Sequence, residues 1–283
     1  MGSIVSSYLP VSVIIPCYRC AVTIERAVDS VLNQTQVPEE IILVDDFSDD
    51  GSATISYLKK LKQKYQKFNI QILSLEKNQG PGSARNEAWK IASQPYIAFL
   101  DADDSWHPNK LELQYSWMKS HPEVLLTAHS STQLFNDSHQ KQFNHCKNFY
   151  PLNVIKFLFF NCIPTRSVML KREIQYRFSP GKRYAEDYLL WLSIALDRHP
   201  IYFLGLPLSC SYKNEFGDAG LTAHLPKAHA GLVDTYQQLL KDRRILWPTC
   251  IVLIAFANVK YLRRLLVVGC RKLLNALRSQ NIL

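Results

Sequence analysis

Two short stretches of this chain hold more carboxylates than a turn requires. Asp101, Asp103 and Asp104 follow the apolar run Tyr96 to Leu100, and Asp45, Asp46, Asp49 and Asp50, with Ser48 and Gly51, follow the run Ile41 to Val44. For the second of these stretches two readings stand: a ligand site, or a turn and helix cap, where Asp, Ser and Gly are the expected residues. Three carboxylates within four residues at 101–104 repel one another unless a cation shares them. Hard divalent ions such as Mg²⁺ and Mn²⁺ take oxygen from one or two carboxylates and complete their shell with substrate phosphates. Between the two clusters, Asn78-Gln79-Gly80-Pro81-Gly82-Ser83-Ala84-Arg85-Asn86 leads a glycine-bearing loop into a helix, so free backbone N–H groups and Arg85 can face an anion. It is neither a Walker A sequence nor G-x-G-x-x-G. Carboxylates, an arginine and a helix N-terminus together describe a diphosphate site, and so a nucleotide held through a metal. Farther along, Glu186 and Asp187 open a helical stretch, where they either complement the helix dipole, which favours their ionised form, or supply a general base.

The elements around these residues alternate. Val11 to Ile15 is a short β-branched run suited to a strand buried on both faces. Ile24, Ala27, Val28, Val31 and Leu32 share one helix face, with Thr23 placed to cap it. Strands at Ile41 to Val44, Ile70 to Leu75 and Tyr96 to Leu100 alternate with helices at Ser52 to Tyr65 and Gly82 to Ala92. Three right-handed strand-helix-strand units predict an α/β fold with an open, parallel, doubly wound sheet, whose ligands bind beyond the carboxyl ends of the strands. Both acidic clusters lie at such ends. The second half is less regular: a helix over Pro108 to Ser120, a strand over Val124 to Thr127, helices over Pro151 to Phe160 and Glu186 to Asp197, a long loop from Tyr212 to Pro226, a helix over Ala228 to Arg244, and a terminal helical region after Pro248. Phe157, Phe159, Phe160 and Trp191 have the spacing of helix core.

In these motifs the first half resembles glycosyltransferase family 2, the inverting nucleotide-sugar transferases of GT-A fold. The resemblance runs from Val11 to about Leu113 through VSVIIPCY, ILVDDFSDDG, NQGPGSARN and YIAFLDADDSWHPNKLE, and continues to about Leu225 through Glu186–Leu192 and GDAGLT. It implies a GT-A domain over 1–225, with a nucleotide-sugar half at about 11–113 and an acceptor half at about 114–225, followed by a C-terminal helical region over 226–283. By position it implies that Pro16 and Tyr18 line the nucleoside pocket, that Asp46 accepts a hydrogen bond from the base with Glu25 nearby, and that Arg85 approaches the base or diphosphate. Asp101 and Asp103 match the D-x-D, Asp103 as metal ligand and Asp101 nearer the ribose, with Asp104 behind them; Asp187 matches the general base, with Glu186 as its fallback. The implied activity is metal-dependent transfer of a hexose-type sugar from a nucleoside diphosphate, UDP by default, to a glycan or lipid-linked acceptor in polysaccharide or cell-envelope synthesis, with Mn²⁺ or Mg²⁺ as cofactor. Arg19 stands where Asn is usual and Phe47 where Gly is common, so the turn at Phe47 is expected to avoid positive φ.

Other signals were weighed against this one. Cys17-Tyr18-Arg19-Cys20 is a C-x-x-C between strand and helix, the context of thiol-disulfide oxidoreductases, but it leaves both acidic clusters without a role. No second such pair exists for a four-cysteine zinc site. His139 and His145 read as solvated, His224 and His229 as surface residues beside GDAGLT. A nucleotidyltransferase that makes sugar nucleotides would carry a glycine-rich motif after the first strand, and a nucleic-acid binder would need basic and aromatic residues interleaved on a platform.

At 283 residues and 47% hydrophobic composition the chain can bury one large core or two smaller ones, which excludes disordered and collagen-like classes. No apolar run reaches the roughly 18 residues of a spanning helix. The first residues lack the basic and apolar regions of a secretory leader, which predicts seven reduced cysteines and a cytoplasmic protein, peripheral on the inner face of the plasma membrane. The formal charge is +9, and residues 243–283 hold eight Lys and Arg with no Asp or Glu. The net charge therefore belongs to a tail whose mixed apolar and basic residues suit either a helix lying on an anionic membrane surface or a packing helix with a solvated basic side. No nucleic-acid partner is expected.

Overall fold

The computed structural model describes residues 8–133, 148–212 and 224–280, with side chains as far as residue 268. Its first half follows the alternation in the sequence: β1 (Leu9–Cys17), α1 (Ile24–Leu32), β2 (Pro38–Asp45), α2 (Ala53–Lys64), β3 (Ile70–Ser74), α3 (Pro81–Ile91) and β4 (Tyr96–Phe99). The strands lie in the order β3-β2-β1-β4, all parallel. Side chains alternate between faces along a strand, so β1 is sealed on both sides. Ile14 enters the core under α3, while Val13 and Ile15 enter the core under α1 and α2. After β3 the chain crosses back and adds β4 on the other side of β1, which opens a crevice at the carboxyl ends of β1 and β4, the usual ligand position in such sheets.

The second half comprises β5 (Asp104–Trp106), α4 (Lys110–Ser120), β6 (Leu126–Thr132), β7 (Phe149–Pro151), α5 (Val154–Phe159), a 3₁₀ turn at Thr165–Ser167, β8 (Met169–Lys171), α6 (Glu186–Leu196), β9 (Ile201–Ser211), α7 (Leu225–Lys241) and α8 (Trp247–Gln280). It extends the sheet as β8-β6-β9-β5, with β7 on β9. β8 runs antiparallel to both β4 and β6, and β5 and β7 run antiparallel to β9. The sheet is thus mixed, and the parallel doubly wound pattern describes only its first four strands. Cys250, Leu253 and Ala257 seat the start of α8 in the larger core with Tyr236 and Leu239 of α7.

Five local expectations change, the first being the helix over Pro151 to Phe160: Pro151 instead ends β7, paired with Tyr202, and α5 starts at Val154 behind the Asn153 cap. Thr23 does not cap α1, because its hydroxyl is turned back to the Cys20 carbonyl at 3.3 Å. Phe47 does adopt positive φ, at 54°, as does Arg19 at 48°. The reason is that the turn is tied down on both sides: Asp46 N–H bonds Cys17 O, Arg19 N–H bonds Ser48 Oγ, and Ser48 N–H and Oγ both donate to Asp45 Oδ1. Surroundings that fix a backbone this fully can hold a non-glycine residue in a left-handed conformation. The strand expected at Val124 runs instead from Leu126 to Thr132, because Val124 N–H closes a turn on His121 O. Helix α7 starts at Leu225, with Pro226 in its first turn, where a missing N–H costs nothing. GDAGLT, His139 and His145 lie outside the described residues.

Candidate active site

Asp46, at the end of β2, is only 3% exposed. Its Oδ1 accepts from Gln79 N–H at 2.7 Å and its Oδ2 from Gly80 N–H at 2.8 Å. Burial pushes its carboxyl above the usual carboxylate range, and these two bonds pull the other way. Asp46 therefore shapes the loop that enters α3. Gly80, at φ 86°, has the left-handed backbone that only glycine takes without strain. At the end of β1, Pro16 is partly exposed and Tyr18 is 45% exposed, its hydroxyl donating to Asp49 at 2.6 Å. Glu25 is directed elsewhere: it accepts from Tyr57 and from Lys64 of α2.

The two halves meet at Arg85. This residue of α3 is buried, and its Nη2 donates to Asp101 Oδ1 at 2.6 Å while Nη1 lies 3.3 Å from Glu186 Oε1. Burial works against its charge, but Asp101 and Glu186 hold the guanidinium above its usual range. Gly82 allows the approach, since a Cβ there would lie 2.8 Å from Glu186 Cγ and 3.2 Å from Phe178 Cβ. Glu186 is buried, and burial together with neighbouring Asp187 pushes it up to about 7 against the pull of Arg85. Asp187 is more exposed than Glu186; its Oδ2 accepts from Thr165 at 2.9 Å, and burial raises it while Thr165 and Arg85 pull it down. Desolvation thus outweighs the helix dipole at both residues. The loop preceding this pair is braced by α7, where Gly231 sits so close that a Cβ would be 2.4 Å from Tyr184 Cβ.

Asp101, Asp103 and Asp104 diverge. Asp104 is buried in β5, paired with Arg166 at 3.2 Å, and burial followed by Asp101 pushes it up to about 7. The Asp103 carbonyl accepts from Arg26 at 2.6 Å, and that guanidinium stacks 3.6 Å from the centre of the Tyr212 ring. Among the described residues no group of three or more His, Cys, Asp or Glu converges as a metal cluster. A hard ion shared with a diphosphate needs only one or two protein carboxylates. Asp101, of which Arg85 takes only Oδ1, and Asp103 on the same turn are the residues that would supply such a pair, whereas Asp104 is committed to Arg166.

Residues 12–177 match the profile of glycosyl transferase family 2. The chain belongs to this family. Among its family 2 relatives, the UDP-Glc:alpha-D-GlcNAc-diphosphoundecaprenol beta-1,3-glucosyltransferase WfgD of Escherichia coli is 34% identical over 189 residues, 67% of this chain and 71% of that protein. The putative teichuronic acid biosynthesis glycosyltransferase TuaG of Bacillus subtilis is 33% identical over 188 residues, 65% of this chain and 71% of its own length. An uncharacterized glycosyltransferase of Rickettsia felis matches at 33% identity, and there the alignment spans 30% of the relative. The GT-A fold is shared with S. aureus TarS 1–349 in complex with UDP-GlcNAc, at TM-score 0.65 and 19% identity over 90% of this chain and 72% of that one. It is shared also with the mannosyltransferase PcManGT from Pyrobaculum calidifontis in complex with GDP-Man and Mn2+, at TM-score 0.64 and 19% identity over 95% of this chain and 81% of that one.

Within this family 2 domain the structure adds residues that spacing did not single out. Thr165 is separated from Asp187 by 22 positions and Arg166 from Asp104 by 62, so only tertiary structure pairs them. Arg26 and Tyr212 brace the Asp103 turn. Arg183 donates to Asn78 Oδ1 at 2.5 Å, which places an exposed guanidinium beside the Gly80 loop; the basic pair Lys182-Arg183, two residues short of Glu186, is a usable signal. The cysteines of the C-x-x-C are buried, and burial, then Cys20, raise the Cys17 thiol, opposite to what a redox nucleophile needs. His229 stacks on Tyr261 at 4.4 Å and joins α7 to α8.

Proposed function

We propose that this chain is an inverting glycosyltransferase that moves a hexose-type sugar from a nucleoside diphosphate, UDP first among the donors, to a hydroxyl of a glycan or lipid-linked acceptor in polysaccharide or cell-envelope synthesis. The observation that carries the proposal is the Arg85 bridge, which sets the carboxylates at the end of β4 beside the acidic pair that opens α6. Residues 1–225 would form the catalytic domain, with donor and acceptor halves divided near residue 113. In this reading Pro16, Tyr18 and Asp46 contact the nucleoside, and Arg183 faces the diphosphate. Asp101 and Asp103 would hold Mn²⁺ or Mg²⁺, which as a Lewis acid offsets the charge that develops on the leaving diphosphate.

Asp187 accepts the proton of the acceptor hydroxyl as its oxygen attacks the anomeric carbon from the face opposite the departing phosphate oxygen. One C–O bond forms while the other breaks, the configuration inverts, and the nucleoside diphosphate leaves with the bonding pair. A positioned base of this kind is worth roughly 10²–10⁴-fold in rate. Glu186, buried and bound to Arg85, has the poorer access of the two. The relatives named above support the acceptor class, since one acts by name on a diphosphoundecaprenol-linked sugar. Such an acceptor would place the enzyme at the inner membrane surface, with the C-terminal region 226–283 as its point of contact.

The test is a panel of nucleotide sugars assayed for transfer and slow hydrolysis with Mn²⁺ or Mg²⁺, alongside Asp103→Asn and Asp187→Asn. Turnover of one donor is expected, lost in Asp103→Asn, and lost in Asp187→Asn with metal-dependent donor binding retained. Full activity in Asp187→Asn would overturn the assignment of the base, and absence of binding or turnover with every donor would overturn the function.

A further inference from the structure

Helix α8 has two apolar faces, and only one of them is used. Cys250, Leu253 and Ala257, spaced at i, i+3 and i+7, are at most 4% exposed and pack into the core. On the opposite side, Ile251, Val259, Leu262 and Leu266 fall at i, i+8, i+11 and i+15, a single stripe on a helix of 3.6 residues per turn. These four are 57%, 63%, 60% and 70% exposed, and Trp247 and Val252 flank the stripe at 66% and 54%. A solvated helix face of a globular protein is ordinarily polar. The patch continues beyond the helix: Phe160, 50% exposed, packs edge-on against Phe256 at 5.5 Å.

We infer that this stripe of α8 is a docking surface for an anionic lipid interface, on which the helix lies flat. With 34 residues at about 1.5 Å each it is about 50 Å long, yet no helix among the described residues is apolar enough over its length to cross a membrane. The charge of the segment selects the occupant. The helix carries six Lys and Arg (Lys260, Arg263, Arg264, Arg271, Lys272 and Arg278) and no acidic residue. A second copy laid on the stripe would set one such tail against another with no carboxylate to pair with either, whereas anionic headgroups complement it. Arg263 stands exposed at the edge of the stripe, where a basic residue reaches headgroups while apolar neighbours enter the acyl boundary by about 5–10 Å; Lys260, farther round the helix, is turned inward to the Phe159 carbonyl. The inference deepens the proposed function and rests on it only for its purpose, delivery to a lipid-carried acceptor; the physics of the face is independent of the reaction.

The test is flotation of the full-length chain with phosphatidylglycerol/phosphatidylcholine vesicles and with phosphatidylcholine alone, at low and high salt, beside the double variant Ile251→Glu, Leu262→Glu. Both substituted side chains are exposed, so the fold is expected to persist, checked by circular dichroism and by donor binding in solution. The expected result is binding to the anionic vesicles that falls at least about tenfold in the double variant and weakens with salt. Equal binding by the variant, or no preference for anionic over neutral vesicles, would overturn the proposal. So would absence of vesicle binding together with a concentration-dependent dimer that the variant abolishes, which would assign the stripe to a second copy. Neither sugar donor nor acceptor is present in the flotation, so its failure and that of the transferase reading are separate outcomes.

Discussion

Arg85 Nη1 lies 3.3 Å from Glu186 Oε1, across 101 positions of sequence. A cation that is itself buried thereby joins α3 to α6 and neutralises carboxylates contributed by both halves of the domain.

Removing that cation leaves Glu186 buried without its partner and Asp101 without its guanidinium. Breaking a buried pair from one side costs about 3–5 kcal/mol. Arg85→Met is therefore expected to lower the thermal midpoint and to abolish transfer. Arg85→Lys, a point charge without the fork that reaches two carboxylates, is expected to recover part of the stability and less of the rate. Calorimetry beside single-turnover assays checks both; an Arg85→Met protein of unchanged midpoint would show that the bridge carries no stability.

The acidity of Glu186 sets a direction for stability against pH. Its folded value, about 7, lies above the ordinary 4.5, so between these limits the native state binds more protons than the unfolded chain. The stabilisation is fully present below about 4.5 and is lost as pH rises toward 7, at no more than about 1.4 kcal/mol per unit. Glu186→Gln is expected to flatten this part of the curve. Denaturant titrations from pH 4.5 to 7.5 measure it, and identical slopes in both proteins would contradict the assignment.

Thr165 donates 2.9 Å to Asp187 Oδ2 and stabilises its ionised form. In Thr165→Val the acid limb of the kcat/KM profile is expected to move upward by about one pH unit, the equivalent of about 1.4 kcal/mol for a bond to a charged group. Thr165→Ser restores the donor and is expected to restore the profile. A loss of rate with no shift of the limb would mean that Thr165 acts only through packing.

A methyl group at Gly231 would meet Tyr184 Cβ at 2.4 Å and Tyr184 O at 2.8 Å. Gly231→Ala must displace either α7 or the loop before Asp187, at a cost of about 1–3 kcal/mol. Transfer is expected to fall more than donor affinity, which isothermal titration and initial rates separate. Parallel losses in both would place the strain elsewhere.

How far the sequence reached follows from the distance over which each signal acts. The β1–β4 layer was legible because buried strands and amphipathic helices write their period into consecutive residues, and Asp46 and Asp101 were legible because they end such runs. The antiparallel additions were not, because β5, β7 and β8 are three residues each and owe their pairing to partners far along the chain. Phe47 shows the same limit at short range: its positive φ is imposed by bonds to Cys17 and Asp45 that residue type alone does not announce. Arg85 was found as a cation near the site, but its turn away from solvent toward Glu186 depends on α6, which periodicity located without docking it.

Gly82 has a bearing on how this enzyme could be recombined. The family 2 profile ends at residue 177, nine positions before Glu186, so along the chain the matched segment stops short of α6. In space the two are interlocked, because α3 presents a bare backbone at residue 82, where a Cβ would come within 2.8 Å of Glu186 Cγ. A chimera that joins this α3 to a foreign α6 must inherit the fit between residue 82 and the start of α6, or the two helices will meet out of register.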